Sequence, residues 1–402
     1  MKLVYQIGTN LYFLIVRLFA LWNPKAKLFI KGREEAIQKL KVFSAGEFVY
    51  WFHCASLGEF EQARPLIEAI KKRSENNQIV VTFFSPSGYE IRKNYELADL
   101  ILYLPRDSKR NAQFLLNKIQ PTKIFFVKYE FWANYLLAAN HRNIPTYLIS
   151  GVFRKKQVFF KWYGGFMRKV LKSFTAIYLQ NENSQVLLKS IGVKSVVTGD
   201  TRFDRVMENA QKVKHFPLIE NFIDQQKCIV VGSNWAEDDQ VIASTLNGLD
   251  QVKIIIAPHE IHKSRIKAVE SKFSQKSIKL SELESTKNSK AFNVLIIDNI
   301  GMLMHLYQYA DLAYVGGAFG KGLHNILEPA CFGVPVIFGD NYSKFPEAFQ
   351  FIEAKIGHSV SNSKEFELIF NGLLKRNEKS KVLTFMSSQV GATAKIIETV
   401  FN

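Results

Sequence analysis

The chain has 402 residues, too many for one ordinary core, so two domains are the expectation. Its 47% apolar and 22% charged residues are those of a globular protein, which argues against a disordered or fibrous chain. Three widely spaced cysteines, Cys54, Cys228 and Cys331, make no CxxC pair and no metal-ligand spacing, and read as buried thiols in a reducing compartment.

The formal net charge of +17, from 53 basic and 36 acidic residues, calls for a polyanionic partner: nucleic acid or an anionic membrane surface. The N-terminal segment, residues 1–46, favours the membrane. Leu11 to Val16 and Leu18 to Trp22 are apolar, interrupted by Arg17, and Lys25, Lys27, Lys31, Arg33, Lys39 and Lys41 follow. A spanning helix needs roughly 20 uninterrupted apolar residues, and no A-x-A-like cleavage site follows. The segment therefore reads as a helix anchored in, or lying along, the cytoplasmic leaflet, with its lysines near the headgroups. A buried packing helix is the alternative.

From residue 47 the pattern alternates strand and helix. Strand-like runs are Phe48–His53, Gln78–Phe84, Leu100–Leu104, Thr122–Val127, Pro145–Ile149, Ala176–Leu179 and Ser195–Val197. Helix-like segments between them include Asn111–Ile119 and Phe131–His141. A polar stretch, 212–217, interrupts the alternation. It resumes with Lys227–Gly232, Lys253–Ala257, Val294–Ile297, Leu312–Val315 and Val334–Phe338, and charge-rich residues 281–291 read as a surface insertion. Such alternation predicts mainly parallel sheets covered on both faces. Two doubly wound, Rossmann-like α/β domains, 47–210 and 211–402, account for it, with the last helix packing back on the first. Such pairs place a site in the cleft between them.

Candidate chemistry sits where strands end, because ligands of open α/β sheets bind beyond the carboxyl ends of the strands. The run Trp51 to Glu61 reads as a buried strand, a small-residue turn at Gly58 and a carboxylate, Glu59, at a helix start. A helix N-terminus favours the ionised form of Glu59 and keeps it available as a base; Glu59 is equally an ordinary partner for the helix dipole. Glu130 follows the strand at 122–127 and either orients an acceptor or is another helix-start charge. Arg202, after 195–197, either stabilises a leaving phosphate or pairs with Asp200 or Asp204.

In the second half, glycines 316, 317, 320 and 322 form a loop before a helix predicted near Asn325, a candidate N-cap, with Glu328 one turn on and free to reach ribose hydroxyls. Pro258 and His259 follow the strand at 253–257. Residues 232–235 open a helix through Glu237 and Asp238, and Gly301-Met302-Leu303 begin a further one. Basic and aromatic residues interleave at 153–169, which suits single-stranded nucleic acid or a phosphorylated lipid.

Taken in order, the segments resemble the 3-deoxy-D-manno-octulosonic acid (Kdo) transferases of lipopolysaccharide assembly. Behind the apolar anchor come W-x-H-x-A-S-x-G-E at 51–59, T-x-x-S-P-S-G at 82–88, Y-E-x-W at 129–132 and T-G-x-x-R-F-D at 198–204. G-S-x-W at 232–235, A-P-H-E at 257–260 and H-N-I-L-E-P-A at 324–330 complete the set. The resemblance implies a GT-B glycosyltransferase, without catalytic metal or cofactor, that moves Kdo from CMP-Kdo to a lipid A precursor at the cytoplasmic face of the inner membrane, nucleic acid having no part. It implies Glu59 as general base and Glu130 and Arg202 as transition-state support. Pro258, His259, Gly301, Met302, Leu303, Asn325, Ile326, Leu327 and Glu328 would bind CMP. Two places depart from the family pattern: Ser150-Gly151-Val152-Phe153-Arg154, where many members have Asn-Ala-Arg, and Trp235, where many have histidine. Another GT-B enzyme, such as a nucleotide-sugar epimerase, and a non-catalytic protein that binds anionic lipid are the competing readings.

Overall fold

The computed structural model describes residues 1–249, 251–273, 276–286 and 288–402. Its contacts divide the chain into two compact units, Met1–Asp204 with Val390–Asn402, and Arg205–Gln389. The junction thus falls before the polar stretch at 212–217, and the last helix, Ala392–Phe401, belongs to the first unit. Its start is fastened by Asp204, whose carboxylate accepts hydrogen bonds from Gly391 N (2.5 Å) and Thr393 N (2.7 Å).

The first unit is built on strands β1 (Val49–Cys54), β2 (Gln78–Phe83), β3 (Leu100–Tyr103), β4 (Lys123–Val127), β5 (Thr146–Gly151), β6 (Ala176–Leu179) and β7 (Val196–Val197). They form one parallel sheet in the order β3-β2-β1-β4-β5-β6-β7. Every residue of β1 is buried, as a strand covered on both faces requires. One face packs Trp51, Val80 and Phe126, and the other packs Phe52, Val81 and Phe125 against the helices. The strand order reverses between β1 and β4, so the loops after these two strands diverge and leave a crevice.

The second unit repeats the plan with β8 (Lys227–Asn234), β9 (Val252–Pro258), β10 (Ser277–Lys279), β11 (Val294–Ile296), β12 (Leu312–Val315), β13 (Val336–Gly339) and β14 (Gly357–Val360). Its parallel order is β10-β11-β9-β8-β12-β13-β14, with the reversal between β8 and β12. Strands β10 and β14 were not foreseen. The stretch read as an insertion holds two short helical turns, Leu280–Leu283 and Ser289–Ala291; Lys287, within it, lies outside the described residues.

Two helices precede β1. The first, α1 (Lys2–Phe19), turns Leu3, Val4, Ile7, Leu11, Leu14 and Leu18 outward, while Phe13 is buried. The second, α2 (Pro24–Val42), is capped by Asn23, which accepts from Lys25 N (2.9 Å) and Ala26 N (3.1 Å), with Pro24 at the first position, where its missing N–H costs nothing. No single helix among the described residues is long and apolar enough to cross a membrane; α1 and α2 meet that test only together, bent by 119°. All three cysteines are buried and free.

Candidate active site

In the first unit Glu59 lies in the opening turn of the helix α3 (Leu57–Arg73), directly after β1. Its side chain folds back into the turn, and its Oε2 accepts a hydrogen bond from Ala55 N. Glu130 stands after β4, across the order reversal, which is why two carboxylates far apart in sequence become neighbours. Only 8% of Glu59 is exposed. Burial first, and the charge of Glu130 second, push its proton affinity up from the ordinary carboxylate range to about 8; the amides of Ala55 and Ser56 and the Lys128 ammonium pull the other way. The expectation that the helix start would hold Glu59 ionised is thereby corrected, because desolvation and a like charge outweigh the amides. Gly58 faces open space, so a ligand can approach the backbone there.

Glu130 is held by a chain of side chains that sequence reasoning missed. Its Oε2 meets His53 Nε2 at 3.0 Å and accepts from Trp132 Nε1 at 2.5 Å. His53, wholly buried, meets Thr82 Oγ1 through Nδ1 at 2.8 Å, and Thr82 also accepts from Trp51 Nε1 at 2.9 Å. One assignment satisfies every member: the Thr82 hydroxyl donates to Nδ1, and Nε2–H donates to the Glu130 carboxylate. The sequence signal was the W-x-H spacing. Residues two apart share a strand face, and His53 lies directly across from Thr82 in the β1–β2 register.

Arg202 pairs with Asp200: its Nε and Nη2 reach Asp200 Oδ2 at 3.0 and 2.7 Å, and its backbone N donates to Oδ1 at 3.0 Å. Asp200, one of the two partners considered for it, is realised, and the Asp204 carboxylate accepts from the returning C-terminal segment. The basic-aromatic stretch divides: Phe153 and Phe159 enter the core beside Phe131, while Trp162 is 91% exposed and Arg154, Lys155 and Lys156 face solvent.

In the second unit the loops after β8, β9 and β12 meet. Rings stack in the sequence Trp235, His259, His324, with centroids 4.6 and 4.5 Å apart, and Lys321 Nζ lies 3.7 Å above the Trp235 ring. Burial and the neighbouring His259 pull His324 down to about 4. It is therefore neutral at pH 7, and its Nε2 accepts from Trp235 Nε1 at 3.2 Å. His259 stacks on both rings and is itself exposed, so a ligand can reach it. Trp235, the departure from the family pattern, stacks on His259, donates to His324 and lies under Lys321.

Beneath it Asp238 joins the loops, accepting from Trp235 N (2.8 Å), Gly317 N (2.9 Å) and Tyr314 Oη (2.7 Å). That carboxylate itself occupies the helix start after β8. Gly316 has no room for a Cβ, which would meet Ser233 O at 2.7 Å, and Gly317 has φ +94°. The helix predicted near Asn325 is the single turn Leu327–Ala330; Asn325 Oδ1 accepts from Leu327 N at 3.2 Å, and Asn325 Nδ2 donates to Glu328 Oε1 at 3.0 Å. Glu328 is thus tied to Asn325 rather than free. Ile326, Leu327 and Pro258 are buried; Asn325 and Gly301 are exposed. Leu303 and Tyr307 press on Gly232 at the end of β8, and the charge of Glu328 reaches the Tyr307 hydroxyl. The segments 301–303 and 325–328 therefore converge on β8, near the ring stack.

Two doubly wound units, each with its candidate residues at the sheet's order reversal, define a fold of the GT-B type. UDP-GlcNAc 2-epimerase from Neisseria meningitidis, solved with UDP-GlcNAc, shares it, with a TM-score of 0.61 at 16% identity over 88% of this chain and 99% of that one. In sequence the chain is similar to the Kdo transferases. Residues 15–205 match the family described as 3-deoxy-D-manno-octulosonic-acid transferase (kdotransferase). The 3-deoxy-D-manno-octulosonic acid transferase of Aquifex aeolicus is 27% identical over 83% of this chain and 88% of its own length. A bifunctional glycosyltransferase/methyltransferase of Fusobacterium nucleatum is 28% identical over 86% of this chain, which spans 55% of that relative.

Proposed function

We propose that this protein is a glycosyltransferase that moves Kdo from CMP-Kdo to a lipid A precursor at the cytoplasmic face of the inner membrane. The observation that carries the reading is the carboxylate pair: Glu59, buried, open to approach at Gly58 and titrating near 8, is matched to accept a proton from a sugar hydroxyl around neutral pH. The hydroxyl oxygen, as it loses its proton to Glu59, attacks the anomeric carbon of Kdo while the bond to the CMP phosphate breaks. One displacement of this kind inverts the anomeric configuration. Glu130 supplies negative charge near the cationic anomeric centre, and Arg202, oriented by Asp200, supplies positive charge to the transition state. Pro258, His259, the 301–303 turn and residues 325–328 bind CMP, largely through backbone amides and the exposed His259 imidazole. Catalysis runs without a metal ion. The outward apolar face of α1 and the lysines of α2 seat the protein on the membrane.

The test is transfer from radiolabelled CMP-Kdo to a tetraacylated lipid A precursor by the purified full chain. The expected result is a Kdo-bearing lipid, formed equally with and without EDTA. Formation of no Kdo-lipid refutes the donor and acceptor assignment, and abolition by EDTA refutes the metal-free step.

A further inference from the structure

The helix α1 turns apolar residues outward, yet other residues on it reach the carboxylate site. Tyr5 donates to Asp107 Oδ2 at 2.6 Å and accepts from Ala133 N at 3.1 Å. Asp107 Oδ2 in turn accepts from Asn134 N (3.3 Å) and Asn134 Nδ2 (3.1 Å). These bonds grip the start of the helix Ala133–His141, immediately after Glu130-Phe131-Trp132. About two turns further along α1, the Tyr12 ring stacks on Phe84 with centroids 6.1 Å apart, and Phe84 stacks on Trp132 at 4.9 Å. Trp132 is the residue that donates to Glu130. Two separate lines of contact thus run from α1 to the loop that carries Glu130.

The geometry points to α1 as a positioning element of the active site: Tyr5 and Tyr12 fix the loop 129–132 so that Glu130 stands beside Glu59. This rests on the proposed base role of Glu59 for its effect on rate, but not for its effect on geometry. A helix serving only as an anchor needs neither contact, because its outward residues do the anchoring. The groups that face Glu59 are Glu130 and Lys128 from the loop after β4 and the Cys54 thiol from β1; those facing Glu130 are His53 and the Tyr5 hydroxyl. Of these, Glu130 is the one that α1 controls. When the loop loosens, Glu130 departs, water enters, and the proton affinity of Glu59 falls.

The test compares the full chain with Tyr5→Phe and with Tyr5→Phe/Tyr12→Leu, both of which keep the outward Leu3, Val4, Ile7, Leu11, Leu14 and Leu18 of α1. Three quantities are read: sedimentation with anionic phospholipid vesicles, the Trp132 indole N–H resonance, and the acid limb of the transfer rate against pH. The expected result is unchanged sedimentation, a displaced or broadened Trp132 resonance, an acid limb moved to lower pH and a rate reduced about tenfold at its plateau. Carboxyl-carbon NMR of Glu59 follows the same titration without catalysis, so an inactive protein would refute the proposed function while leaving this inference testable. An unmoved Trp132 resonance and an unmoved Glu59 titration, with only the melting temperature lowered, would overturn it and reduce both tyrosines to packing.

Discussion

At the scale of single residues, Glu59 shows how far burial and charge override position. Its place at a helix start is legible in the sequence, and by itself that place predicts an ionised carboxylate. What the sequence conceals is the arrival of Glu130 across the order reversal, together with the desolvation of a turn that closes over its own carboxylate. The consequence can be measured. A carboxyl whose folded proton affinity is raised from 4.5 to about 8 is favoured by the fold in its neutral form. That stability is fully present below the ordinary carboxylate range and is lost as pH rises through about 8. Glu59→Gln keeps an acceptor for Ala55 N and stays neutral, so it is expected to be more stable than the wild type at alkaline pH, by on the order of a few kcal/mol, and equal to it in acid. Denaturant titration across the pH range checks this; a difference that does not change with pH would contradict it.

At the scale of elements, long apolar strands were readable because both faces of β1, β4 or β9 are buried and their sequences are correspondingly rich in Val, Ile and Phe. The two strands that escaped, Ser-Ile-Lys in β10 and Gly-His-Ser-Val in β14, are short edge strands without such a run. Helix starts were less readable, since they depend on tertiary partners: Asp238 serves Gly317 as well as Trp235, and Asn325 serves a single turn. The C-terminal helix is the clearest instance, because its anchor, Asp204, is distant in sequence. Asp204→Ala removes both acceptors at its start and is expected to cost about 1–2 kcal/mol. Hydrogen exchange should then accelerate selectively in 392–401, and uniform exchange throughout the first unit would show that the cap has no local role.

At the scale of the whole molecule, repetition of one doubly wound plan made the two-unit fold legible from alternation alone, and seven ordered motifs made its similarity to the Kdo transferases legible. The residues that connect the motifs were not. His53 and Thr82 belong to different motifs, as do Trp235, His259 and His324, and only the parallel register brings them together. The excess of 17 positive charges and the apolar face of α1 are properties of the chain as a whole that suit an anionic lipid surface. The central claim, however, rests on one carboxylate. Transfer from CMP-Kdo to the lipid acceptor, measured side by side for wild type and Glu59→Gln with CMP affinity determined for both, tests it most directly. The account predicts a loss of at least about a hundredfold in transfer with CMP affinity retained; equal rates for the two proteins would contradict it.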